Sequence, residues 1–269
     1  MGALAAWKMG DQRLMVERHL ARALPEASAA HRRELAQQAF GSYARYWLES
    51  FRLPSVSDAD VARGHDVQGY HHIDAALELG RGVILALPHL GGWEWSAFWL
   101  SRVKHVRVTA VVEPLSPPAL FEWFVELRRS LDMNLVALGP GAGKQVLAAL
   151  RRNDVVCLLA DRDLSGGGVE VEFFGERTTL PAGPATLAFR AGVPILPTAV
   201  YFASDRHLGF VGPALPRDRQ GSLKEDVGRV TQALATAFES LIRAAPEQWH
   251  LLQPNWPSDP GYRRADPVT

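Results

Sequence analysis

Val83-Ile84-Leu85-Ala86-Leu87-Pro88-His89-Leu90-Gly91-Gly92-Trp93-Glu94 decides how the chain is read. Five apolar residues end at a proline, as a strand does when it leaves a sheet. A histidine follows at once, then two glycines that allow a tight turn. A glutamate stands five places after the histidine, where an aromatic helix begins. The stretch predicts a buried strand that delivers His89 to a sheet edge, with Glu94 folded back near it. An isolated His-x4-Glu is a weak signal. Its strength here comes from the apolar strand before it and the glycine turn inside it.

Working outward, the pattern alternates between helices and apolar strands. Residues 4–24 read as a helix, with Gly10 a candidate interruption and Arg13, Arg18 and Arg22 among apolar positions. Such a helix packs on the core or lies on an anionic membrane surface. Residues 31–52 give a longer helix with an aromatic face. Residues 55–71 read as a connector with a short helix, and 72–80 as a helix leading into strand 83–88. Strands are predicted at 108–112, 135–138, 155–160, 169–174, 195–202 and 207–211. Helices are predicted at 95–102, 116–130, 143–152, 184–191 and 223–244. Residues 178–183 read as a loop. The expected fold is therefore a single α/β domain with a mostly parallel central sheet flanked by helices. Its helical N-terminus covers 1–54, its α/β core 72–257, and a flexible tail 258–269.

Composition sets limits on function. The 269 residues are 47% hydrophobic, enough for one large core. Formal net charge is zero, so bulk electrostatics does not point to nucleic acid. One cysteine, Cys157, cannot form an internal disulfide. No apolar run approaches the length of a membrane span, so membrane contact is expected to be peripheral. Gly139-Pro140-Gly141-Ala142-Gly143-Lys144 resembles a phosphate loop. It has three residues between its outer glycines instead of four, and Gln145 follows the lysine, so it is read as a helix entry. His71 and His72 are adjacent and cannot share a helix face, and no metal is expected there.

Three apolar strands end in titratable groups, at His89, Glu113 and Asp161-Arg162-Asp163. In parallel sheets, active groups gather outside the strand C-termini. An imidazole titrates near neutrality and suits a general base. It works better when a carboxylate holds its other nitrogen. Asp161, Glu94 and Glu113 are all candidates for that partner. Arg128 is placed to bind a phosphate or a developing oxyanion.

Leu87-Pro88-His89-Leu90-Gly91-Gly92-Trp93-Glu94 resembles the HxxxxD/E motif of glycerolipid acyltransferases, in the branch of the lipid A lauroyl/myristoyl acyltransferases. The likeness is closer to the phosphatidylinositol mannoside acyltransferases of actinobacteria. It extends through 42–47, 160–164, 168–176 and 249–254, nearly the whole domain. The resemblance implies transfer of a long, palmitoyl-like chain from acyl-CoA to the mannose 6-hydroxyl of a phosphatidylinositol mannoside glycolipid. It also implies peripheral attachment to the cytoplasmic face of the plasma membrane. It makes His89 the base, and Asp161 stands where these enzymes usually have the glutamate that pairs with it. Glu94 fills the last place of the motif, and Glu113, Arg128 and Arg162 go to substrate binding. No cofactor is implied, because acyl-CoA is a co-substrate. A lipid A-type or other glycolipid acceptor is the alternative, and a non-catalytic lipid-binding module is the alternative of another class. Such proteins usually carry a further helical segment ahead of the point where this sequence begins. That departure bears on N-terminal membrane contact and not on the catalytic rim.

Overall fold

The computed structural model describes residues 2–113, 118–164 and 166–262. Two long helices come first, α1 (Gly2–Ala23) and α2 (Ala29–Arg52). Gly10 does not break α1, contrary to expectation. Ser28 caps α2 by accepting a hydrogen bond from the backbone N–H of His31. Then follow α3 (Asp58–Arg63), β1 (His65–Gln68), α4 (His71–Glu78), β2 (Val83–Leu87), α5 (Trp93–Phe98) and β3 (Val108–Val112). The next elements are α6 (Pro118–Ser130), β4 (Met133–Ala137), α7 (Ala142–Arg151), β5 (Val155–Leu159), β6 (Val169–Phe173) and β7 (Glu176–Leu180). The chain closes with α8 (Gly183–Ala191), β8 (Ile195–Phe202), β9 (His207–Val211) and α9 (Leu223–Ala244). Residues 116 and 117 of the expected helix 116–130 lie outside the described residues.

Seven strands form one sheet in the order β1-β9-β8-β2-β5-β3-β4. The neighbours from β8 to β4 run parallel, and β9 turns antiparallel against β8. The sheet is thus mostly parallel, as expected from the alternating pattern. Every residue of β2 is buried, which is why it reads as an unbroken apolar run.

The registers divide the core in two. Ile84, Ala86, Val156, Leu158 and Ile195 face a cluster built with α7, α8 and α9. Leu85 and Leu87 face the opposite way, into a cluster with Ile73, Phe98, Trp99 and Phe124. The second face carries the cavity described below.

Three expectations are corrected. The connector 55–71 contains β1, an edge strand paired with β9. Residues 178–183 are not a loop throughout, because Glu176–Leu180 forms a hairpin with β6 apart from the main sheet. Its two-residue turn is Phe174-Gly175, both with positive φ. That backbone suits a hairpin, but phenylalanine is an unusual residue for it, so the turn does not announce itself in the sequence. The tail set apart from 258 also begins inside the packed chain. Asp259 is buried and accepts hydrogen bonds from Arg18, Arg22 and the backbone N–H groups of Asn255 and Trp256. Residues 263–269 lie outside the described residues.

Candidate active site

β2 and β5 are parallel neighbours with Leu87 opposite Leu159. Two residues further on, the same register sets His89 opposite Asp161. Leu87 still pairs there, accepting from the Ala160 N–H at 2.9 Å. His89 Nδ1 lies 2.6 Å from Asp161 Oδ1, and the His89 backbone N–H donates to Asp161 Oδ2 at 3.0 Å. The Trp249 indole N–H donates to Oδ2 at 2.9 Å.

Asp161 is 0% exposed. Burial pushes its carboxyl up, but the charge of His89 and the hydrogen bonds from His89 and Trp249 outweigh it. The result is a pKa below the usual carboxylate value. Asp161 is therefore a buried anion held against one ring nitrogen. The His89 side chain is 23% exposed and lines a cavity. Its Nε2 makes no hydrogen bond among the described residues and is the nitrogen left for a substrate.

The turn after His89 is closely packed. Gly91 has φ +58°, and a Cβ there would lie 2.0 Å from the Val200 carbonyl oxygen. Its N–H donates to the Gln248 carbonyl, and the His250 N–H donates to the His89 carbonyl at 2.7 Å. The 248–250 segment thus clamps the histidine from the C-terminal side.

Glu94 is brought near this rim but not onto the histidine. It is buried at the start of α5, where it accepts from Arg128 Nε at 3.1 Å and from Tyr46 Oη at 3.2 Å. Arg128 Nη2 also donates to it. Among the described residues no hydrogen bond joins Glu94 to His89. Burial, then the negative charge of Glu94, pushes the Tyr46 hydroxyl well above its ordinary pKa. Burial would lower the pKa of Arg128, but Glu94 outweighs it and keeps the guanidinium charged. Tyr46 in turn stacks on Trp93 at 4.2 Å. Glu94 therefore anchors α2, α5 and α6 to one another below the dyad.

Glu113 and Arg162 pair at 2.8 Å, at the ends of β3 and β5. Glu113 is about half exposed, and both residues line the same cavity as His89, Glu94 and Arg128. Five of the six site residues expected from sequence line one cavity, and the sixth, Asp161, is buried behind His89. The six sort into three pairs.

Sequence reasoning assigned no role to Trp249 or His250. Trp249 is the second clamp on Asp161. His250 is buried in the cavity wall, with Nε2 2.8 Å from Ser42 Oγ and no partner for Nδ1 among the described residues. Burial, then the charge of His89, lowers its pKa to about 3, so it is neutral at physiological pH. Its only signal in the sequence was membership of the Trp249-His250-Leu251-Leu252 run.

The cavity measures about 260 Å³. Apart from the three pairs, its wall is mainly apolar and aromatic, with Trp47, Leu85, Leu87, Trp93, Trp99 and Leu100 prominent. Such a lining suits an apolar ligand, with an imidazole and charged groups at one end. The arrangement can deprotonate a hydroxyl beside an apolar ligand.

Comparison with known proteins agrees with this geometry. The family described as bacterial lipid A biosynthesis acyltransferase matches residues 1–258. The phosphatidylinositol mannoside acyltransferase of Mycobacterium tuberculosis is 43% identical over 250 residues, covering 91% of this chain and 77% of its own. The protein of the same name from Mycolicibacterium smegmatis is 40% identical over 258 residues, covering 95% and 82%. The lipid A biosynthesis acyltransferase of Haemophilus influenzae is 24% identical over 257 residues, covering 92% and 77%. With a match that runs through β2, β5 and the clamp at Trp249, the chain belongs to the bacterial lipid A biosynthesis acyltransferase family.

Proposed function

We propose that the protein transfers a long, palmitoyl-like acyl chain from acyl-CoA to the mannose 6-hydroxyl of phosphatidylinositol mannosides. The observation that carries the chemistry is the His89–Asp161 pair opening onto an apolar cavity. The acceptor follows from the 40–43% identity to enzymes named for it. The lipid A enzyme stands at 24%, which favours the mannoside over a lipid A-type sugar.

In the proposed mechanism, His89 Nε2 takes the proton from the mannose hydroxyl. The oxygen attacks the thioester carbonyl carbon. When the tetrahedral intermediate collapses, the C–S bond breaks, and the CoA thiolate takes the proton back from the imidazolium. Asp161 holds the Nδ1–H tautomer and stabilises the charged ring. Arg128 and the Glu113–Arg162 pair, which line the cavity, are the polar groups offered to phosphate or sugar. The steps draw only on these side chains and the co-substrate, with no covalent enzyme intermediate.

Exposed Phe51 and Trp123 support contact with a membrane surface, proposed to be the cytoplasmic face of the plasma membrane. Their rings are 5.1 Å apart, and they touch Trp47 and Phe124, which line the cavity. Aromatic residues are favoured where water meets lipid.

Incubating the purified protein with palmitoyl-CoA and a panel of glycolipids, followed by mass spectrometry, tests the reading. The expected product is a phosphatidylinositol mannoside heavier by one acyl chain on mannose. Acylation of lipid A-type sugars alone would overturn the acceptor. No transfer to any glycolipid would overturn the reaction.

A further inference from the structure

The cavity continues well beyond His89. β2 and β8 pair with Ala86 opposite Pro197, so His89 falls level with Val200. Val200 faces Gly209 across β9, and Gly209 faces Val67 across β1. All four residues of this row line the cavity. The row crosses three strand spacings, about 14 Å, and β1 is the edge of the sheet.

Three rings meet at that edge. His65 and Trp99 stand edge-to-face at 5.0 Å, as do Tyr70 and Trp99 at 5.4 Å. All three line the cavity. Trp99 opens the π-helical turn Trp99–Val103 that follows α5, a local widening of the helix. Ser96 Oγ fixes His65 by a 2.9 Å bond to Nε2, and Lys104 Nζ lies 4.5 Å over the Tyr70 ring. The far end is thus a braced wall of rings.

Gly209 stands just before that wall. Its φ is not positive, so the backbone does not require glycine there. A Cβ would lie 3.1 Å from Val67 Cγ2 and 3.3 Å from His65 Cε1. Glycine inside a strand marks a place where something approaches closely.

We propose that His65, Tyr70 and Trp99 form the stop that sets acyl chain length, with Gly209 setting the bore of the last stretch. The terminal methyl group comes to rest against the rings, and the thioester lies at His89. This assignment rests on reading the cavity as the acyl site.

The test compares kcat/KM for myristoyl-, palmitoyl-, stearoyl- and arachidoyl-CoA in the wild type, Gly209→Ala and Tyr70→Ala. Gly209→Ala is expected to shift preference towards shorter donors. Tyr70→Ala is expected to shift it towards longer ones. Each shift should be about tenfold between neighbouring donors, as one or two methylene groups in an apolar pocket allow. Thermal unfolding identifies a variant that does not fold, in which case Val67→Ile, which narrows the same stretch of the cavity, and Tyr70→Leu carry the same two tests. Folded variants that keep the wild-type profile, or that both shift it the same way, would overturn the stop alone. A wild type that transfers no chain from any CoA ester would overturn the reading of the cavity beneath it.

Discussion

In the proposed mechanism His89 serves as a base through Nε2 only while Nδ1 carries the proton, a state that the Asp161 carboxylate beside Nδ1 favours. The carboxylate is ionised despite complete burial, because His89 and Trp249 direct donors at it. His89→Ala is therefore expected to abolish transfer while leaving the fold intact, as checked by circular dichroism and a turnover assay. Asp161→Asn keeps the size but loses the charge and favours the wrong tautomer. It should lower kcat by about 10²–10⁴-fold. Near-normal turnover in that variant would move the partner role elsewhere. Glu94 offers the contrasting case, since its contacts are with Arg128 and Tyr46. Glu94→Gln leaves a buried guanidinium without its counter-charge and should cost about 3 kcal/mol of stability. Denaturant melts would show that loss, and kcat should fall less than in His89→Ala. A turnover loss as complete as that of His89→Ala, without a stability change, would give Glu94 a direct part in the chemistry.

At the scale of elements, the turn between β2 and α5 positions His89. Gly91 accepts a left-handed φ within 2.0 Å, at its absent Cβ, of the Val200 carbonyl. Gly91→Ala cannot be accommodated without displacing β8 or the turn that carries His89. It is expected to cost at least about 2 kcal/mol and to reduce turnover strongly. Unfolding midpoints and kcat measured together test this, and a stable, active variant would refute it. The same elements show what sequence could reveal. β2, β5 and β8 are apolar because both their faces are covered, so their patterns identify them. β1 is a four-residue polar edge strand, and its pairing with β9 leaves no periodic trace. β7 was hidden behind a turn that uses phenylalanine where asparagine or aspartate is usual. His89 was legible as the end of a strand. Its pairing with Asp161 follows from the register of Leu87 with Leu159, a long-range property that no local pattern encodes. The residues alone left three carboxylates open, and only family resemblance ranked them. The Trp249 clamp comes from the far end of the chain and had no local signal.

Across the whole molecule, packing has buried two neutral histidines far apart in sequence, and this gives stability a pH dependence. Burial, reinforced by the charge of His207, lowers His65 to about 4. Burial, reinforced by His89, lowers His250 to about 3. An unfolded histidine titrates near 6.5. Between 6.5 and these lowered values the unfolded chain binds protons that the folded chain refuses, so stability falls as pH falls. Once the pH lies below its folded value, His65 should cost roughly 3 kcal/mol and His250 roughly 5 kcal/mol. The lowered carboxyls act later. The pKa values of Glu49, Asp161 and Asp259 are depressed, so their contribution is intact above the ordinary carboxylate range and is lost as pH falls through their folded values. Loss of the Asp259 charge also removes the ion pairs by which it ties α1 to the C-terminal segment through Arg18 and Arg22. Denaturant unfolding from pH 7 downward should therefore show stability declining from about 6.5, before the carboxyls titrate. His250→Phe should be less stable at pH 7, because Ser42 loses its partner, yet should show a shallower decline. A wild-type profile flat between pH 7 and pH 4 would mean that both rings accept a proton in the folded state, and that the buried wall of the cavity admits water.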